Sequence, residues 1–149
     1  LPIETQPDAQ MAVTADGRVA ANALHCPGVV SMARADNPNS ANSQFFIMRA
    51  PNTDLDKRYT IFGRVVWGQE AVMQIAVGNP PPNPDRMLAV RIAADLPETE
   101  RAPIYVLRTD GPQFRELIDE TRRERRADFS VCDVQIPARV PRDSNRERR

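Results

Sequence analysis

"SANSQFFIMRAPNTDLDKRYTIFGRVV", residues 40–66, decides how the rest of the chain is read. Small polar residues give way to Gln-Phe-Phe-Ile-Met, then to an Asp-Leu-Asp turn, then to Ile-Phe-Gly-Arg-Val-Val. Runs rich in aromatic and β-branched residues, bounded by Asn, Asp, Ser and Pro, predict strands joined by turns. The expected strands are 43–49 and 59–66, with a loop over 50–58. Just upstream, GVVSMARA (28–35) predicts another strand opened by a glycine, and DNPNSAN (36–42) a turn. Side chains on a strand alternate between two faces. Gln44, Phe46 and Met48 therefore share one side of 43–49, and Phe45 and Ile47 share the other, which is expected to be buried. The Gln-x-Phe-x-Met side is then an amphipathic surface, an aromatic wall beside an amide donor and acceptor. Such a surface suits an apolar ring next to a peptide bond, and proline is the residue that has both.

Working outward, residues 1–27 read as loop-like, with a turn at Ala15-Asp16-Gly17. Residues 68–77 predict a short helix, with Val72, Ile75 and Ala76 on one stripe. The four prolines of 78–86 exclude a regular element there, and MLAVRIAADL (87–96) predicts a fourth strand. The fold class expected from this order is mainly β: an antiparallel barrel, closed or nearly so, with one short helix. Beyond 97 the character changes to an α/β extension: a strand at 104–110, a helix at 111–126 with Phe114, Leu117 and Ile118 on one side, and a strand at 128–140. In that last strand Val131, Asp133 and Gln135 oppose Cys132, Val134 and Ile136. The expected organisation is a first domain over 1–96, the extension over 97–136, and a disordered Arg-rich tail over 137–149.

At 149 residues with zero formal net charge, the chain has no global field that would recruit nucleic acid or an acidic membrane surface. Lys57 is the sole lysine among 20 basic residues, and fourteen prolines against six glycines argue against a mostly helical protein. No run is apolar over the roughly 18 residues that a membrane-spanning helix requires. The start, LPIETQPDAQ, lacks an initiator Met and the pattern of a leader, and is expected to lie inside a longer chain. Cys26 and Cys132 allow a single intramolecular disulfide and do not fix a redox compartment.

Other candidate chemistries fall away. His25 and Cys26 are adjacent, so on an extended segment they point to opposite faces and cannot pair as base and nucleophile; a structural role is expected. One histidine and two cysteines make no zinc set, and no metal site is expected. Asp36, Asp54 and Asp56 sit in turns, where Asp commonly bonds to its own backbone. No GxSxG, GxGxxG or phosphate-loop pattern is present, and no cofactor is expected. Five Arg and four acids within 115–126 read as a self-compensating helix face. The stretch from 139 onward carries net +3 and reads as a solvated end.

The joint pattern Ser31-Met32-Ala33, Asn42-Ser43-Gln44-Phe45-Phe46-Ile47, Leu55-Asp56 and Phe62-Gly63-Arg64-Val65 resembles the cyclophilin family of peptidyl-prolyl cis-trans isomerases, bacterial members in particular. The resemblance spans about residues 27–95 and leaves the extension outside the common core. It implies the family's barrel, incomplete at the N-terminus, and an isomerase acting on proline-containing peptides and unfolded proteins as a monomer, without cofactor, metal, nucleic acid or membrane. It further implies Gln44 and Phe46 as catalytic-face residues, Gln44 bonding to substrate backbone. Phe46 and Leu55 would floor and flank a proline pocket, and Ala33 and Ala35 would line the adjoining groove. Arg34 stands where many members have Asn, a position that meets substrate mainly through its backbone, and Tyr59 where others carry His. Asp54 stands where some carry a drug-binding Trp. The family's catalytic Arg has no counterpart here, and Arg18 lacks its context. The expectation is therefore a fragment whose own activity is doubtful. The alternatives are a non-catalytic proline-peptide or chaperone-like module, and an interaction protein whose Arg-rich end docks an acidic partner. Compartment stays open between bacterial periplasm and cytoplasm.

Overall fold

The computed structural model describes residues 23–141; the turn at 15–17, Arg18 and the end of the tail lie outside them. The chain divides into two compact units, one ending at Val65 and the other beginning at Val66.

The first unit is built on a three-stranded antiparallel sheet. β1 (Val29–Met32) is central, flanked by β2 (Phe45–Ile47) and β3 (Ile61–Arg64). Gly28 enters β1 at φ 83°, a conformation that a side chain disfavours. Its N–H donates to the Met48 carbonyl at 2.8 Å, and its own carbonyl accepts from Val65 N–H at 2.7 Å. One residue thus ties both flanking strands to the centre. Pairing sets Val30 opposite Ile47, Ser31 opposite Phe46 and Met32 opposite Phe45. On the other side the register shifts between Val30 and Ser31, a bulge that increases local twist. Val29, Ala41 and Met48 are buried apolar side chains of this unit, joined by the polar His25 and Ser31.

On the stretch expected at 43–49 the Phe45 side is not the buried one: Phe46 and Ile47 are both half-buried, and the departures are Phe45 and Met48. Phe45 is 46% exposed, whereas Met48, on the Phe46 side, is 8% exposed. Phe45 is not a core residue. Period-2 geometry groups side chains correctly, but which group is covered depends on what packs against the sheet.

In the second unit, α1 (Gln69–Gln74) starts from Gly68 at φ 84° and buries Val72, but the helix stops before Ile75, which is exposed. The expected 68–77 helix is shorter because Ile75 leaves helical backbone at ψ 135°. No strand forms at 87–96. Met87, Leu88, Val90 and Ile92 lie exposed, Leu88 to 95%, and residues 93–95 make a single 3-10 turn. An apolar alternation is a strand only when a neighbour supplies its ladder, and none does among the described residues. The strand expected at 104–110 contracts to β4 (Tyr105–Val106), which pairs antiparallel with β5 (Ala138–Arg139). The two sheets, of three and two strands, are separate and make no closed barrel among the described residues.

α2 (Pro112–Arg125) is the main helix, close to its expected span. Pro112 fits the first turn, where no N–H partner is lost, and Arg122, Arg123 and Arg125 sit at the negative end of the helix dipole. Phe114, Leu117 and Ile118 form its half-buried stripe. Asp119 pairs with Arg122 at 3.8 Å, as the self-compensating face requires. Instead of the strand expected at 128–140, a 3-10 turn over Val131–Asp133 precedes the two-residue β5. Ser130 and Asp133 cap each other reciprocally there, drawing the backbone out of an extended path.

Candidate active site

The site is assembled on one face of β1–β2–β3. Residues paired across an antiparallel ladder share a face, so Ser31 and Phe46 lie side by side. Ser31 is wholly buried. Its small side chain leaves room for the ring of His25, which stacks on Phe46 at a centroid distance of 6.1 Å and an interplanar angle of 16°. Tyr59 meets the same Phe46 ring nearly at right angles, with centroids 5.8 Å apart and 83° between planes. Phe46 is therefore held by two aromatic neighbours, one parallel and one perpendicular, both favoured geometries for ring pairs.

Each neighbour is itself anchored. Asp56 follows a 3-10 turn over Thr53–Leu55, capped at its start by the Asn52 side chain. One carboxylate oxygen of Asp56 lies 2.8 Å from His25 Nδ1 and also accepts the His25 backbone N–H at 2.8 Å. On the other side of the ring, His25 Nε2 lies 3.2 Å from Ser31 Oγ. The Ser31 hydroxyl donates to the Thr60 carbonyl at 2.8 Å. Tyr59 is fixed through its backbone, whose N–H donates to the Leu55 carbonyl at 3.2 Å. Arg34 lies over the Tyr59 ring, its guanidinium carbon 4.6 Å from the ring centroid.

Asp56, His25 and Ser31 follow one another as the members of a nucleophilic triad do, yet the arrangement cannot work as one. Ser31 Oγ has no exposure through which a substrate could reach it, and its proton is committed to a backbone carbonyl. A general base must face an accessible nucleophile. The network is a scaffold for Phe46.

Phe46, Tyr59 and Arg34 thus come together, whereas Leu55 is tied to Tyr59 through its backbone carbonyl alone. Gln44 immediately precedes β2 and is exposed; its carbonyl accepts from Ala33 N–H at 2.9 Å, and its side-chain amide makes no hydrogen bond among the described residues. Ala33 and Ala35 continue from β1, and Ala35 N–H donates to Ser40 Oγ at 3.0 Å, closing the 36–42 turn. Asp56 departs from the behaviour expected of a turn aspartate, since its carboxylate serves His25, 31 residues away in sequence. Asp36 and Asp54 are exposed, and no group of acidic, His or Cys side chains among the described residues could hold a metal. Sequence reasoning missed His25 as part of the aromatic wall, because its contacts are made only by the folded sheet. Neither cysteine is a free thiol.

Residues 2–94 match the family model "Cyclophilin type peptidyl-prolyl cis-trans isomerase/CLD". A protein of Brucella abortus named "Probable peptidyl-prolyl cis-trans isomerase" is 47% identical over 73 residues, covering 46% of this chain and 37% of that protein. A peptidyl-prolyl cis-trans isomerase of Arabidopsis thaliana is 50% identical over 48 residues, 32% of this chain and 29% of its own length. Among solved structures, the cyclophilin AquaCyp293 from Hirschia baltica matches with TM-score 0.75 and 36% identity, covering 91% of this chain and 50% of its own. That coverage exceeds what residues 2–94 can supply, so the structural likeness reaches into the segment beyond them. The chain spans at most about half the length of these relatives. By the match over residues 2–94, most of its length, the chain belongs to the cyclophilin-type peptidyl-prolyl cis-trans isomerase family.

Proposed function

We propose that this chain carries the proline-binding face of a peptidyl-prolyl cis-trans isomerase. The observation that carries the reading is Phe46, held between His25 and Tyr59 on a strand whose neighbouring amide, Gln44, is exposed and makes no side-chain bond among the described residues. Amide resonance sets a rotation barrier of about 18–20 kcal/mol. For X-Pro both isomers are populated and exchange over tens to hundreds of seconds. Lowering that barrier needs no covalent intermediate. It needs a surface that holds the proline ring and dipoles that favour the twisted amide over either planar form.

In this reading Phe46 supplies the aromatic floor, and Leu55 and Tyr59 its flank and rim. The Gln44 amide donates to or accepts from substrate backbone, and Ala33 and Ala35, too small to obstruct, line the groove beside it. The substrates are proline-containing peptides and unfolded chains. The test is the cis-to-trans relaxation of an X-Pro peptide with and without the protein, comparing wild type with Phe46→Ala. Loss of acceleration in the variant supports the assignment, and equal acceleration by the two proteins removes Phe46 from the site.

A second reading, binding without turnover, has its own support: the chain matches only 37% of the Brucella protein and half of the solved cyclophilin. The same experiment separates the two, because a binder shifts peptide resonances on titration and leaves the exchange rate unchanged.

A further inference from the structure

We propose that Arg34 is a positioning residue: its guanidinium fixes Tyr59 against Phe46 and so sets the rim of the surface onto which the proline ring packs. The inference rests on the reading of Phe46 as that surface. Arg34 Nε and Nη2 both donate to the Arg58 carbonyl, at 3.3 and 3.1 Å. Nη1 donates to the carbonyls of Ala35 and Asp36, at 2.8 and 3.2 Å. These four bonds join the turn after β1 to the residue that immediately precedes Tyr59. They also fix the guanidinium, whose central carbon lies over the Tyr59 ring, 4.6 Å from its centroid. Tyr59 is thereby held twice, through the backbone before it and through one face of its ring, while the same ring meets Phe46 at 83°.

Alternative roles fit less well. Among the described residues Arg34 forms no ion pair with a carboxylate; its partners are carbonyl dipoles and a ring face. A loop clamp alone would need the three carbonyls but not the ring beneath the guanidinium. Lysine cannot reproduce the arrangement, since a single ammonium lacks the planar fork that reaches one carbonyl with two N–H groups while its central carbon sits over the ring.

The test uses the 149-residue chain, a blocked Ala-Ala-Pro-Ala peptide, and the variants Arg34→Lys, Arg34→Met, Tyr59→Ala and the double variant Arg34→Met/Tyr59→Ala. Ring-to-ring nuclear Overhauser contacts between Tyr59 and Phe46 report the positioning directly, and peptide titration reports its consequence. The expected result is loss of the Tyr59–Phe46 contact in both Arg34 variants and roughly five- to tenfold weaker peptide binding, the scale of a partly desolvated cation–π contact. The double variant should bind no more weakly than Tyr59→Ala alone, because Arg34 acts through that ring. Retention of the contact in both variants, or additive losses in the double variant, overturns the proposal. Loss of the dispersed amide spectrum in both Arg34 variants also overturns it, by assigning the side chain to the fold. Should Phe46→Ala bind the peptide like wild type, the surface reading fails instead, and the ring contact still decides the role of Arg34.

Discussion

The imidazole of His25 lies within 16° of parallel to the ring of Phe46, and the carboxylate of Asp56 holds His25 at both its ring Nδ1 and its backbone N–H. The half-buried rings of Phe46 and Tyr59 are therefore backed by a polar network that runs Asp56–His25–Ser31–Thr60. Such a network is rigid when every member is satisfied and costly when one is removed.

Asp56→Ala should accordingly lower stability by roughly 2–4 kcal/mol, since it strips one acceptor from two donors on a residue that is 2% exposed. Asp54→Ala, two residues earlier and exposed, should stay within about 0.5 kcal/mol of wild type. Urea unfolding of the two variants makes the comparison. Equal midpoints would mean that the His25 anchor contributes nothing to the fold.

The two phenylalanines of β2 should separate stability from binding. Phe46→Ala removes a ring packed on His25 and Tyr59, and should cost more stability than Phe45→Ala and abolish proline-peptide binding. Phe45 is 46% exposed, so its truncation should fall well short of the roughly 3–5 kcal/mol typical of a buried Phe. Thermal melts and peptide titrations on both variants check the order, and a larger stability loss in Phe45→Ala contradicts it.

The parts of this site that depend on local signals are legible in the amino-acid sequence. The turn clusters at 36–42 and 50–58 and the β-branched runs between them place the strands holding Ser31, Phe46 and Phe62 close to where they form. The apolar stripe of α2, Phe114-Leu117-Ile118, is equally local. The departures are non-local. The alternation of Leu88, Val90 and Ile92 is a strand pattern, but a ladder needs a partner that the pattern cannot name. At 128–140 a reciprocal cap between Ser130 and Asp133 overrides alternation. One strand by itself cannot rank the face carrying Phe45 against the face carrying Phe46. His25 enters the site only because the sheet brings it to Phe46 and Asp56.

Arg108 and Asp110, ahead of α2, form a close pair, with guanidinium-to-carboxylate distances of 3.0 and 2.6 Å. The side-chain hydrogen bond from Arg108 holds the Asp110 carboxyl below its ordinary value. A depressed carboxyl contributes stability above its unfolded value, about 3.9 for Asp, and loses it as pH falls through the folded value. Both side chains are exposed, so solvent screening leaves little of that contribution. Arg108→Ala should raise the Asp110 titration midpoint in carboxyl NMR while the thermal midpoint at neutral pH stays put. An unmoved Asp110 titration would show that the pair does not persist in solution.

Gln44 is the last test of the site, because its environment separates binding from folding more cleanly than that of any ring. It is exposed, its carbonyl already bonds to Ala33 N–H, and its side-chain amide makes no bond among the described residues. Removing that amide leaves the ladder untouched and opens no cavity, so Gln44→Ala should unfold within about 0.5 kcal/mol of wild type. If the amide bonds to substrate backbone, the same change should weaken X-Pro peptide binding about five- to tenfold, the range of one net hydrogen bond at the upper end. Gln44→Glu keeps the length and an acceptor but loses the donor. If substrate accepts from the amide, Gln44→Glu should bind as weakly as Gln44→Ala; if substrate donates, it should bind like wild type. Peptide titration with all three proteins reads the direction of that bond. Undiminished binding in Gln44→Ala would take Gln44 out of the site and leave the rings of Phe46 and Tyr59 to carry recognition alone.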